Sequence, residues 1–228
     1  MILYKFASRS RPAKLLNCLQ NIKSLAKEKY MVLVTLDYDD DLCNDIAFRH
    51  RLTEHKNVFF VFGYSKNKID AINRDIELFP REWDVLINMS DDMFFYKEGF
   101  DTEIREAFGG DYDQFIHWDD GNQRDSVCTM SIMGKDYFDR FGYIYHPDYE
   151  SLWCDCEATE VAKELGKYKY MGDGNILFKH LHPSFGLGQY DEQYRRTEAH
   201  ALRSKDEQVY LQRKAKRHPK KSQHGPQG

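Results

Sequence analysis

The chain is 228 residues long, 41% hydrophobic and 31% charged, enough for one domain of ordinary size and too short for two full ones. Lys and Arg number 33 against 37 Asp and Glu, a formal net charge of -4 that excludes a uniformly basic nucleic-acid binder. The total hides an asymmetry: from residue 203 onward eight Lys/Arg face two Asp/Glu, a net of +6, which leaves -10 on residues 1–202. No stretch approaches the ~20 apolar residues of a membrane span, and Lys5 and Arg9 interrupt the apolar start before a signal-peptide core. Five cysteines (Cys18, Cys43, Cys128, Cys154 and Cys156) make an odd count without a disulfide framework, so a reducing, cytoplasmic location is expected.

In chain order, an apolar run at residues 2–6 predicts a strand, and Ser10 and Pro12 open a helix carrying Leu15, Leu16, Leu19 and Ile22 at helical spacing. Residues 31–36 and 58–62 read as buried strands that stop at Asp37 and Gly63, with a weaker helix around residues 44–52 between them. Ile69, Ile72, Ile76 and Phe79 mark a helix that ends before Pro80, and residues 83–88 make the next strand. The second half is less regular, with strands predicted at residues 115–118, 128–133, 168–171 and 176–178 and helices at 135–141 and 155–165. Beyond residue 202 the apolar pattern fades, and residues 203–228 read as a basic, disordered tail.

Strands alternating with helices imply β-α-β units and a largely parallel sheet, whose ligands bind beyond the carboxyl ends of the strands. The residues at those ends are polar: Ser8, Arg9 and Arg11; Asp37 and Asp39; the stretch 63–68; and Ser90-Asp91-Asp92. Two adjacent carboxylates at a strand end offer hard oxygens to Mg²⁺ or Mn²⁺, though a helix cap would use the same residues.

The order of these segments resembles the GT-A fold glycosyltransferases of the large family-2-like group. The resemblance is carried by Phe6-Ala-Ser-Arg-Ser-Arg-Pro12 ahead of a Leu-rich helix, Val34-Thr-Leu-Asp-Tyr-Asp-Asp40, Lys68-Ile-Asp-Ala-Ile-Asn73, Asn88-Met-Ser-Asp-Asp92, Met133-Gly-Lys-Asp-Tyr-Phe-Asp-Arg-Phe-Gly142 and Trp153-Cys-Asp-Cys-Glu157, over about residues 1–183. It implies an α/β, Rossmann-like fold with a mostly parallel central sheet flanked by helices and a smaller acceptor-side subregion. Residues 1–93 would be the nucleotide-binding half of one domain and residues 94–202 the acceptor half. The implied activity is metal-dependent, inverting, hexosyltransferase-like transfer of a sugar from a nucleotide-diphosphate donor to a hydroxyl acceptor. That acceptor is a saccharide, a lipid-linked saccharide, a protein or a modified nucleic acid.

Residue by residue, the resemblance implies nucleotide-sugar contacts from Ser8, Arg9, Arg11, Asp37, Asp39, Lys68, Asn73 and Asp91. It implies Mn²⁺ or Mg²⁺ held by Asp92, Asp91 and a late histidine. His180 and His182 both follow a strand, and His182 before Pro183 is the better match. Asp155 and Glu157 are the candidates for general base; Cys154 stands where the family usually has Glu, so either acid fits. Trp118, Asp119 and Trp153 would face the acceptor side, although Trp118 serves equally as core. Cys154 and Cys156 with the two histidines have the wrong spacing for structural zinc. A nucleotidyltransferase is disfavoured because residues 8–12 contain no glycine to cradle phosphate, and a non-catalytic nucleic-acid or surface binder would use the basic tail.

Overall fold

Strands buried on both faces, alternating with amphipathic helices, leave a parallel sheet between helical layers as the arrangement that covers every apolar surface. The structure is a computed structural model that describes residues 1–172 and 174–218. Strand β1 (Ile2–Ala7) leads through α1 (Pro12–Leu25) to β2 (Tyr30–Asp37), followed by α2 (Ile46–Thr53), β3 (Val58–Gly63), α3 (Lys68–Asn73) and β4 (Val85–Met89). β1 pairs in parallel with β2 and β4, and β2 with β3, so the carboxyl ends of these strands share one edge of the sheet.

The rest of the chain adds β5 (Met93–Phe95), α4 (Phe100–Phe108), β6 (Phe115–His117), β7 (Ile132–Gly134), α5 (Lys135–Asp139), α6 (Cys154–Glu164), β8 (Tyr168–Tyr170), β9 (Phe178–His180), α7 (Glu192–Thr197) and α8 (His200–Arg217). The main sheet runs β3-β2-β1-β4-β7-β6-β8, with β7 antiparallel to both β4 and β6, while β5 and β9 form a separate antiparallel pair. Alternation along β1 sends Ile2, Tyr4 and Phe6 into one apolar core and Leu3 into the other, one core on each face of the sheet.

Several expectations need correction. The helix expected to reach Phe79 stops at Asn73, because the Asn73 side chain is committed to the backbone of Ile144 and Tyr145 and Asp75 takes a left-handed backbone angle (φ 73°). The segment after Asp92 is strand β5 rather than a helix, so neither acid caps one. The strand expected at residues 176–178 lies two residues later, paired with β5 through Met93 and His180.

The largest correction concerns the tail. Residues 203–217 belong to α8, which lies along α6 with Asp206 and Tyr210 buried. Its Arg213, Lys214 and Arg217 pair with Glu157, Glu160 and Glu164 of α6. Its docked face is mostly charged, with Asp206, Arg213, Lys214 and Arg217 around Tyr210 and Val209, so few aliphatic residues mark it in the sequence. The remaining part of the expected disordered tail, residues 219–228, lies outside the described residues.

One buried charge in the sheet has a measurable consequence. Lys5 is fully buried on the side of β1 that faces α3, where Nζ reaches Thr35 and the Ala71 carbonyl. Burial pulls its pKa down to about 7, with Asp75 opposing the shift. A lysine whose folded pKa is depressed binds fewer protons folded than unfolded between pH 7 and its ordinary 10.5, so its contribution to stability rises with pH across that window and is flat below it. Lys5→Met therefore gains most over the wild type at or below pH 7, and its advantage shrinks by up to about 1.4 kcal/mol per pH unit above that. Paired urea denaturation curves at pH 7, 8 and 9 check the trend, and a pH-independent difference would refute it.

Candidate active site

β4 delivers Ser90-Asp91-Asp92 to the carboxyl edge of the sheet, and both acids are buried, at 4% and 5% exposure. Adjacent carboxylates taken out of water need partners, and each has its own set. Asp91 accepts a 2.8 Å hydrogen bond from the Ser8 hydroxyl and a 3.0 Å bond from Arg11 Nη1, both residues of the loop after β1. Asp92 Oδ2 accepts from the Tyr194 hydroxyl. Its Oδ1 lies 3.4 Å from His180 Nε2, without the alignment of a hydrogen bond. Burial raises the Asp91 pKa against the pull of Arg11. For Asp92, burial is outweighed by His180 and Tyr194, so this carboxyl titrates below the usual range.

A strap from α7 completes the enclosure. The Arg11 guanidinium sits between Asp91 and Asp191 and lies 4.0 Å over the Tyr194 ring. Lys14 also reaches Asp191, at 2.8 Å, and His182 pairs with Glu198 at 2.7 Å.

The acids border a cavity of about 480 Å³ that also takes in Arg9, Lys68, His180, Trp153, Asp155 and Arg203. A second cavity of about 160 Å³ adjoins it through Arg9 and Lys68 and reaches Ser8, Asp37, Lys66 and Arg196. Arg9 links the β1 and β2 loops through hydrogen bonds to Asp37 (3.1 Å) and Asp39 (2.7 Å). Asp37 is also held by Ser65 and Arg74, so both of its oxygens are engaged.

Of the residues expected at the site, Ser8, Arg9, Arg11, Asp37, Lys68, Asp91, Asp92, His182, Trp153 and Asp155 line the two cavities. Others do not. Asp39 is an exposed rim residue, and Asn73 staples α3 to residues 144–145. Trp118 is 1% exposed within the core, and Asp119 folds back onto the Gly121 amide of its own loop. Glu157 lies around α6 from the main cavity, bonded to Tyr149, Arg213 and Arg217. The histidine that approaches Asp92 is His180, because β9 pairs with β5 at that residue, whereas His182 turns to Glu198. Tyr194 and Asp191 carry no motif in the sequence and emerge only from the fold.

No family model matches the chain, and no curated protein matches it in sequence. Solved structures do. The mannosyltransferase PcManGT from Pyrobaculum calidifontis, in complex with GDP-Man and Mn²⁺, superposes with a TM-score of 0.62 at 11% identity, covering 94% of this chain and 73% of that one. S. aureus TarS residues 1–349 in complex with UDP gives 0.58 at 13% identity, over 78% of this chain and 60% of that one. The catalytic domain of Drosophila β1,4-galactosyltransferase 7, in complex with xylobiose, gives 0.56 at 12% identity, over 86% and 79%. The chain has the GT-A fold.

In this GT-A chain the donors suit a divalent cation. Among the described residues Asp92 Oδ1 is a buried carboxylate oxygen without a hydrogen-bond partner, and the His180 Nε2 lies 3.4 Å from it. Among the described residues no group of three or more His, Cys, Asp or Glu is arranged to hold a cation unaided. Mg²⁺ and Mn²⁺ are commonly held by one or two carboxylates, with substrate phosphates completing the shell, and Asp92 with His180 fits that pattern. Among the described residues no helix is long and apolar enough to cross a membrane.

The Arg11–Asp91 pair is testable without any substrate. Removing the cation alone, in Arg11→Met, strands a buried carboxylate and costs about 3–5 kcal/mol of stability. The double variant Arg11→Met/Asp91→Leu recovers most of that loss in thermal melts. Equal melting of the wild type and Arg11→Met would show that the pair is not buried in solution.

Proposed function

We propose that the chain is a metal-dependent glycosyltransferase that moves a sugar from a nucleotide-diphosphate donor to an acceptor hydroxyl, with inversion at the anomeric carbon. The reading rests on one observation: a cavity at the carboxyl edge of a GT-A sheet holds a buried, incompletely satisfied Asp92 and the separate carboxylate Asp155, with cationic side chains beside them. The solved structures that share the fold include one bound to GDP-Man and Mn²⁺ and one bound to UDP, which supports a nucleotide-sugar donor.

The smaller cavity, with Asp37, Ser65, Lys66 and Arg196, suits a base and ribose, and it opens through Arg9 and Lys68 into the larger one. Lys68 and Arg9 then face the diphosphate, whose charge the -10 body would otherwise repel. Asp92 and His180 would hold the cation, which neutralises the leaving diphosphate when bound. Asp155, in the first turn of α6, takes the proton of the acceptor hydroxyl as its oxygen bonds to the anomeric carbon. The bond from that carbon to the phosphate oxygen breaks on the opposite side, and its electron pair leaves with the nucleoside diphosphate. A single attack from the face opposite the leaving group inverts the centre. Glu157 is not the base in this scheme, because Arg213 and Arg217 already neutralise it away from the cavity.

A thermal-shift panel of nucleoside diphosphates, with and without Mn²⁺, tests donor binding, and stabilisation by at least one of them is expected only when metal is present. Asp92→Ala abolishes the metal-dependent part, and no stabilisation by any nucleotide would sink the proposal. Asp155→Asn keeps that binding while turnover falls by about a hundredfold or more. Near-normal turnover in this variant would remove Asp155 from the base role.

A further inference from the structure

Nothing in the sequence marks Asp206, yet it is among the least exposed acids of the molecule, at 0%. Among the described residues no cation pairs with it. Its carboxylate instead accepts three backbone amides of the loop before α6, from Glu150 at 3.0 Å and from Ser151 and Leu152 at 2.8 Å each. One helical turn later on α8, the Tyr210 ring stacks on Trp153, with centroids 5.1 Å apart and planes at 30°. Trp153 is the next residue of the same loop, lines the main cavity and adopts a left-handed backbone (φ 63°), a strained state for a residue with a side chain. It directly precedes α6, whose N-terminus has no side-chain cap, and Asp155 is the second residue of that helix. The ion pairs of Arg213, Lys214 and Arg217 bind α8 to the body of α6 over the following turns.

We propose that Asp206 and Tyr210 are positioning residues for the transfer reaction: from the C-terminal helix they clamp residues 150–153 and so fix the direction in which Asp155 enters the cavity. This rests on the reading of Asp155 as the base. The physical case is that a buried carboxylate is tolerable here only while it receives those amides, so loop and helix are ordered together. Stacking on Tyr210 helps hold the left-handed backbone of Trp153. Asp206 and Tyr210 do not line the smaller cavity, but Glu150 and Ser151 of the clamped loop do, so loosening the clamp weakens donor binding less than it slows transfer.

The test uses the full chain with Asp206→Asn, Tyr210→Ala and Tyr210→Phe. Asparagine offers one acceptor oxygen where the loop uses two, and phenylalanine keeps the stacking ring. Hydrogen exchange of the peptide spanning residues 150–157 should speed up by about tenfold in Asp206→Asn and Tyr210→Ala, with exchange across β1, β2 and β4 unchanged. In the same two variants kcat should fall by about tenfold to a hundredfold, while donor KM and nucleoside-diphosphate affinity change by less than about fivefold. Tyr210→Phe loses the hydroxyl's bonds to Glu160 and Lys214 but keeps the stack, so its kcat and its exchange at residues 150–157 should stay within about twofold of wild type. Unchanged exchange at residues 150–157 would overturn the inference, as would a wild-type kcat in both Asp206→Asn and Tyr210→Ala. A parallel loss of donor binding and kcat with faster exchange everywhere would also overturn it, in favour of a purely structural helix. A wild-type chain that binds nucleotide but turns over no donor would sink the transfer reading instead, and the exchange comparison would then decide the clamp alone.

Discussion

Two adjacent carboxylates buried at the end of a parallel strand must be neutralised, and much of the molecule is arranged to do so. Asp91 draws in Ser8 and Arg11 from the loop after β1, which sets the start of α1. Asp92 draws in His180 from β9 and Tyr194 from α7, elements separated from it by most of the second half of the chain. The two acids sit side by side yet are pushed in opposite directions: burial raises Asp91, whereas its neighbours lower Asp92. Neighbouring groups held apart in this way are a common property of sites built to handle charge.

The same economy of buried charge governs the other edge of the cavity. Asp206 is satisfied by backbone amides alone, Glu157 by two arginines and a tyrosine, and Asp155 is left facing the cavity. Successive turns of α6 therefore divide between two surfaces. One face meets α8 through Glu157, Glu160 and Glu164, and the other presents Asp155. The net charge of the chain takes on a spatial meaning in this arrangement, since the described part of the basic C-terminal segment offsets acids of the body and is not spread along a free tail.

Much of the first half was legible in the sequence. Residues 31–36 and 58–62 have no helical period, and a run of that length ending at Asp37 or Gly63 has little choice but to be a buried strand. The second half was harder because its strands are three residues long, too short for a period to show, and their pairing partners are remote in sequence. Which of His180 and His182 approaches Asp92 was not legible for the same reason. His180 ends β9 and His182 lies two residues beyond it at the start of a turn, and only the register of β9 against β5 directs the first of them to Asp92.

By itself the sequence determined the alternating α/β order, the polar rim with its Asp91-Asp92 pair, and the family resemblance carried by short motifs in the right succession. These depend on local periodicity and on where each strand must stop, which neighbours along the chain decide. Tertiary structure alone decided that Asp155 and not Glu157 faces the cavity, that Trp118 is core, that Tyr194 closes over Asp92, and that α8 belongs to the site. Trp118 is placed by apolar packing against residues remote in the chain, and the other outcomes depend on which groups share a buried charge across 50 or more residues, as in the Glu157–Arg213 and Asp206–Glu150 contacts, whose separations are 56 residues each. No window of sequence carries that information.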